Sequence, residues 1–219
     1  MPRMPSDPLR LQREQLATAC RDAAAAGLAP LASGNASLRL PEGILITVSG
    51  ARFATMEPDQ LILVDQTGRP LEPGPAASSE TPLHLAVYAR RPDVGAVMHT
   101  HGARAVALSA MRTQVPALHY YCADLGGPPS MAPYRPYGTE ELAQVTVAAL
   151  EERHAVVMTH HGSLTVASGL AKALDRAELL EWLCEVSLLA LAAGTPAELD
   201  DAQVAASVQR AARPAGGTR

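Results

Sequence analysis

Among the seven histidines of this 219-residue chain, four close two apolar runs. His99 and His101 end AVMHTH, and His160 and His161 end AVVMTHHG. On a strand, residues i and i+2 point to the same face, so His99 and His101 present both imidazoles to one ion. Gly102 and Gly162 follow the two pairs and allow the close backbone approach of a crowded site. Two strands delivering histidines at the same end build a three-histidine divalent-metal site with a coordination position left open for substrate. The competing reading is a solvated strand end, and for one pair alone it is the stronger. A second strand ending in histidine brings the two level. His84 falls in a candidate helix and His154 follows a charged run, so packing or solvent exposure is the expectation for each.

Glu80 lies in the polar segment SSET, just before a helix start. A carboxylate there is favoured by the helix dipole with no function at all. Ser78 and Ser79 add hydroxyl and backbone donors at the same helix start, which also makes an anion site. Gly34-Asn35 and Ser49-Gly50 are two more tight polar turns. Each is explained as a turn. Three in one chain can also cradle a phosphate, as backbone nests do.

The elements that must hold these residues are legible from caps and periodicity. Asp7 as N-cap, Pro8 at the first helical position and Gly27 as terminator frame a helix with Leu9, Leu16, Cys20 and Ala23 or Ala24 on its apolar stripe. Strands are expected at 37–40, 43–48 and 61–64, then a Pro/Gly-rich loop at 69–77. A helix opened by Pro82 should stop at Arg91, before Pro92. A strand at 94–100, a helix at 103–111 and an irregular stretch at 116–136 follow. Thr139 caps a helix running to about 153, and apolar strands are expected at 155–160 and 163–167. The strongest helix spans 170–193, ended by Gly194 and Pro196. Short strands interspersed with helices give one α/β sandwich over 1–213, and residues 214–219 are expected to be a disordered tail. No GxGxxG or P-loop is present, which removes the main signature of the nucleotide-binding folds.

Composition narrows the class. Hydrophobic residues make up 47% and charged residues 18%, the balance of a globular chain. A net charge of −4 and 3% aromatics leave neither the basic surface nor the stacking platforms of a nucleic-acid binder. Cys20, Cys122 and Cys184 are scattered, which fits a reducing compartment better than a disulfide framework. With no long apolar run and no apolar core in MPRMPSDPLR, neither a membrane helix nor a secretory leader is expected, and a cytoplasmic protein is.

Taken in order, the segments SGNASLR, ILITVSG, SSETPLHLAVYARRPDVGAVMHTH, PALHYYCADLGG, YRPYGTEEL and HHGSLTVA resemble the class II aldolase/adducin family, more narrowly its bacterial L-fuculose-1-phosphate aldolases. The resemblance implies a three-layer α/β/α sandwich around a mainly antiparallel sheet. It also implies a homotetramer with active sites between subunits and a divalent metal, usually zinc. The implied reaction cleaves a ketose 1-phosphate to dihydroxyacetone phosphate and an aldehyde through a metal-stabilised enediolate. By the same resemblance, His99, His101 and His161 are metal ligands, and Glu80 is the catalytic acid/base that also approaches the metal. Gly34, Asn35, Ser49, Gly50, Ser78 and Ser79 match phosphate-binding positions. Tyr120 matches a catalytic tyrosine that reaches a neighbouring subunit's site. No lysine Schiff base is required, and Lys172 is the only lysine.

Three departures stand out. No tyrosine follows Tyr137, where the family's aldolases carry one in the C-terminal tail. Val48 replaces a common proline, and Asp124 replaces a small apolar residue, which is expected to alter the pocket. The main rival is an L-ribulose-5-phosphate 4-epimerase, whose SSDT turn resembles SSET. It has Asp where this chain has Glu80, and its middle segment differs from ALHYYCADLGG. Sugar-phosphate decarboxylases and a dehydratase share the scaffold. A non-catalytic adducin-like domain would lack the histidines that are present here.

Overall fold

The structure, a computed structural model, describes residues 9–212. Asp7, Pro8 and the 214–219 tail, for which a cap and disorder were expected, lie outside the described residues. In chain order the elements are α1 (Arg10–Ala25), β1 (Asn35–Leu40), β2 (Gly43–Thr47), β3 (Leu61–Val64), α2 (Thr81–Arg90), β4 (Ala96–Thr100), α3 (Ala103–Ser109), β5 (Met131–Ala132), α4 (Glu140–Leu150), β6 (Ala155–Met158), β7 (Gly162–Ala167), α5 (Leu170–Ala193) and α6 (Asp201–Ala211). The seven strands form one sheet in the order β3-β2-β1-β4-β7-β6-β5. Every pairing is antiparallel except that of β5 with β6.

Helices cover both faces of the sheet. β6 shows why its sequence, AVVM, is apolar throughout: successive side chains leave a strand on opposite faces, and here both faces are dry. Ala155 and Val157 join Leu108 of α3 and Leu180 of α5 in one cluster. Val156 and Met158 join Leu83 of α2 and Leu142 of α4 in the other. α1 buries the expected stripe of Leu16, Cys20 and Ala23. Its end is a left-handed turn at Gly27, with Leu28 N–H donating to Ala23 O at 3.0 Å.

Four segments differ from the expectation. α4 stops at Leu150, where Glu151 turns into positive φ. β6 stops at Met158, so His160 and His161 do not end a strand but sit in the three-residue loop joining β6 to β7. His160 takes the left-handed conformation there, with φ 57, and His161 N–H donates to Met158 O at 3.0 Å. The irregular stretch holds a 3-10 helix, Tyr120–Leu125, and the edge strand β5. α6 was not expected; it has no buried residue, and its one sequence signal is the capping box between Asp200 and Gln203.

Candidate metal centre and active site

β4 carries His99 into a fully buried position, and His101 follows just past the strand end. Its backbone N–H is held by Leu28 O at 2.7 Å, directly after the left-handed close of α1. The β6–β7 loop brings His161 against both, and the three rings meet edge to face with centroids 4.6, 4.9 and 5.0 Å apart. Glu80 stands at the N-cap of α2 and points its carboxylate into the same space. Its Oε2 lies 2.9 Å from His99 Nε2, and its Oε1 lies 3.4 Å from His161 Nε2. Asn35 Nδ2 donates to Oε2 at 2.9 Å. One ligand atom from each of Glu80, His99, His101 and His161 lies within 4.8 Å of the others.

The donor set fits a divalent cation. His99 Nδ1 lies 2.8 Å from Ser163 O, a carbonyl that only accepts, so Nδ1 carries the proton and Nε2 presents a lone pair. That lone pair faces His101 Nε2 at 2.9 Å and a Glu80 oxygen at the same distance. Glu80 Oε1 and His161 Nδ1 are buried without a hydrogen-bond partner. Acceptors crowded together in this way repel one another unless a cation lies among them. Burial, then the neighbouring His99, holds His101 down to about 3 and His161 down to about 4, so both rings are neutral and ready to ligate. Burial pushes Glu80 up, but positive charge, placed on the His99 ring when no cation lies among these groups, and the Asn35 hydrogen bond outweigh it and keep the carboxyl well below the usual carboxylate range.

A cavity of about 410 Å³ opens beside these groups, and the three polar turns line it. They are tied together by the backbone: Ser49 N–H donates to Ala76 O at 2.9 Å and Ser78 N–H donates to Thr47 O at 3.0 Å. Those two amides are therefore engaged, contrary to a simple picture of exposed turn donors. The N–H groups of Gly34, Gly50 and Ser79 make no hydrogen bond among the described residues, an arrangement of free amides that could take an anion. Gly34 and Gly50 reach this arrangement at φ 86 and φ 75. At Val48 the backbone N–H donates to Gln60 O at 3.0 Å, a bond that the family's common proline lacks.

The structure does not bring Tyr120 to the metal group of its own chain. Tyr120 is 57% exposed on the 3-10 helix, stacks on His119 at 4.5 Å and lines a separate cavity with Ala206 and Arg210 of α6. Asp124 does not line the metal-side cavity either; it lines the cavity beside Tyr120 and pairs with Lys172 Nζ at 2.7 Å. Tyr134, Arg135 and Tyr137 do line the metal-side cavity and were missed as site residues, and His160, read from the sequence as half of the second histidine pair, lines it too. Gly138 is the signal that could have found the loop: at φ 73 it packs where a Cβ would come 3.2 Å from Ser79 O. His154, expected to be packed or exposed, is half-buried, with its backbone bonded to Leu125 O and Val166 N. His84 is fully buried and bonded to Asn35.

Residues 14–188 match the family described as Class II Aldolase and Adducin N-terminal domain. The L-fuculose phosphate aldolase of Escherichia coli (strain K12) is 34% identical over 198 residues, covering 90% of this chain and 92% of its own. The 5-methylthioribulose-1-phosphate/5-deoxyribulose-1-phosphate aldolase of Escherichia coli O45:K1 is 37% identical over 174 residues, covering 79% and 81%. A solved L-fuculose 1-phosphate aldolase superposes with a TM-score of 0.87 at 30% identity, covering 90% of this chain and 94% of that one.

Proposed function

The chain belongs to the class II aldolase and adducin family, and from that premise we propose that it cleaves a ketose 1-phosphate of the L-fuculose 1-phosphate type into dihydroxyacetone phosphate and an aldehyde. The observation that carries this reading is the convergence of Glu80, His99, His101 and His161 within 4.8 Å beside a cavity lined by three polar turns. These four residues would hold the metal, which we take to be zinc. When bound, such a metal supplies the Lewis acidity that stabilises the negative charge left as the C3–C4 bond breaks.

The chain's own groups divide the remaining work. The free amides of Gly34, Gly50 and Ser79, with the hydroxyls of Ser49 and Ser78, hold the phosphate and so fix the reacting carbons, while Asn35, expected in that set, has its side-chain amide engaged by Glu80 and His84 instead. In cleavage the C4 hydroxyl proton leaves to solvent, the C3–C4 electron pair stays on C3, and Glu80 passes to C3 a proton that it has first taken up from solvent. In condensation Glu80 removes that proton. Tyr120 of a neighbouring copy handles the proton on the aldehyde oxygen, which makes the working form a homotetramer with sites between subunits. One catalytic domain over 1–213 and a cytoplasmic location complete the reading; no helix of the described residues is long and apolar enough to cross a membrane.

A coupled assay that traps dihydroxyacetone phosphate, run across fuculose, rhamnulose, ribulose and 5-deoxyribulose 1-phosphates, tests this. Release from at least one is expected. Turnover of ribulose 5-phosphate to xylulose 5-phosphate, with no release from any ketose 1-phosphate, would replace the aldolase reading with that of a 4-epimerase.

A further inference from the structure

Behind Glu80 a row of buried polar side chains runs away from the cavity, between β1 and α2. Asn35 Nδ2 donates to Glu80 Oε2 at 2.9 Å, and Asn35 Oδ1 lies 2.6 Å from His84 Nε2. His84 Nδ1 lies 2.6 Å from Ser37 Oγ, which lies 2.8 Å from Tyr88 OH. The placement follows from two periods. Asn35 and Ser37 leave the same face of β1, and His84 and Tyr88 follow Glu80 by one and two helical turns. His84 and Ser37 have no exposure, so water cannot substitute for any member.

We propose that His84 is a positioning residue for the proton-carrying carboxylate: its Nε2–H tautomer fixes the Asn35 amide so that Asn35 donates to Glu80. A neutral imidazole has one N–H. With that proton on Nε2, His84 donates to Asn35 Oδ1, Ser37 donates to Nδ1, and Tyr88 donates to Ser37. Every hydrogen bond then points toward Glu80. With the proton on Nδ1, Nε2 becomes an acceptor and calls for the Asn35 NH₂ group. The amide turns over and its oxygen faces Glu80 Oε2, two acceptors in contact in a dry site. The His84 tautomer therefore decides whether the carboxylate is held or repelled. Burial, chiefly, keeps this ring neutral, holding it down to about 3.

The kinetic arm rests on the aldolase reading, and the spectroscopic arm does not. Ring ¹⁵N NMR of the metal-loaded protein, assigned against His84→Gln, is expected to show Nε2 protonated and Nδ1 bare; a protonated Nδ1 would overturn the proposal. His84→Leu should lower kcat by about 10- to 100-fold, the range for partners that orient ligand groups, with KM for the ketose phosphate unchanged. The same substitution in an Asn35→Ala background should change kcat little. An equal loss in both backgrounds, a matched rise in KM, or no loss would overturn it. If His84→Leu does not fold, Tyr88→Phe and Ser37→Ala break the row from its far end and are read in the same way. If the wild type turns over no ketose phosphate, the functional reading fails while the tautomer is still decided by NMR.

Discussion

Asn35 and His99 stand opposite one another in the ladder between β1 and β4. One donates its side-chain amide to Glu80 Oε2, and the other lies 2.9 Å from the same oxygen. The sheet register therefore sets the spacing around the carboxylate. A one-residue slip of β1 would turn Asn35 to the opposite face and empty that position.

The first consequence concerns metal content. Purified protein should carry about one divalent ion per chain, because the four donors form one group. His99→Ala removes a ligand whose other nitrogen is anchored on Ser163 O, so affinity should fall by more than the roughly 10- to 100-fold typical of an outer partner. Metal analysis after dialysis checks this; unchanged occupancy in His99→Ala would contradict it.

Stability of the metal-free protein should fall as the solution is acidified. Burial, first of all, holds His84 and His101 at about 3 and His154 and His161 at about 4, against an ordinary 6.5. Below pH 6.5 the unfolded chain binds protons that the folded chain refuses until about pH 4 or 3. Stability thus rises with pH through this window and is lost on descending it. Glu80, held low in the fold, acts in the same direction. Thermal unfolding of chelator-treated protein should show a lower Tm at acid pH than at neutral pH, and a flat profile would contradict the burial argument.

Arg135 is the one lysine or arginine among the described residues lining the cavity, and its guanidinium donates to the neighbouring Tyr134 O at 2.7 Å. The three polar turns add no other cationic side chain. Arg135→Ala should raise KM for a phosphorylated ketose several-fold, by the roughly 0.2–1 kcal/mol or more of an exposed charge pair, and leave kcat alone. Added salt should shrink the difference between variant and wild type. A loss confined to kcat would place Arg135 in the chemistry instead.

Gly162 lies where β7 leaves the histidine loop. A Cβ there would come 2.3 Å from Thr100 O and 3.2 Å from His99 Cε1. Gly162→Ala must push β4 and β7 apart, which costs about 1–3 kcal/mol as overpacking and displaces His99. Gly169→Ala meets nothing within 4 Å and serves as the control. Denaturant unfolding and metal content should both fall in the first and stay near wild type in the second.

Much of the site was legible because strand and cap chemistry are local. The i, i+2 spacing announced His99 and His101, and SSET announced a carboxylate at a helix start. α5 was readable end to end because its apolar residues recur at helical spacing and Gly194 closes it. The role of His84 was not readable, because it depends on Asn35 and Ser37 arriving from 49 and 47 residues away. His160 was misplaced because the apolar run gives no sign of where β6 gives way to a left-handed loop. α6 packs on the core only through partly buried residues such as Val204, and its stripe of Val and Ala is too small and too close to the chain's general Ala content to stand out in the sequence.

The most direct test of the central claim is single-turnover release of dihydroxyacetone phosphate by metal-loaded wild type and by Glu80→Gln, with metal content measured on both. Gln keeps the size of the side chain and the acceptor for Asn35 but cannot carry the proton. The account predicts a loss of about 10²- to 10⁴-fold in the chemical step, the range for a positioned acid/base, in a variant that still contains metal. Release at the wild-type rate from metal-loaded Glu80→Gln would contradict it.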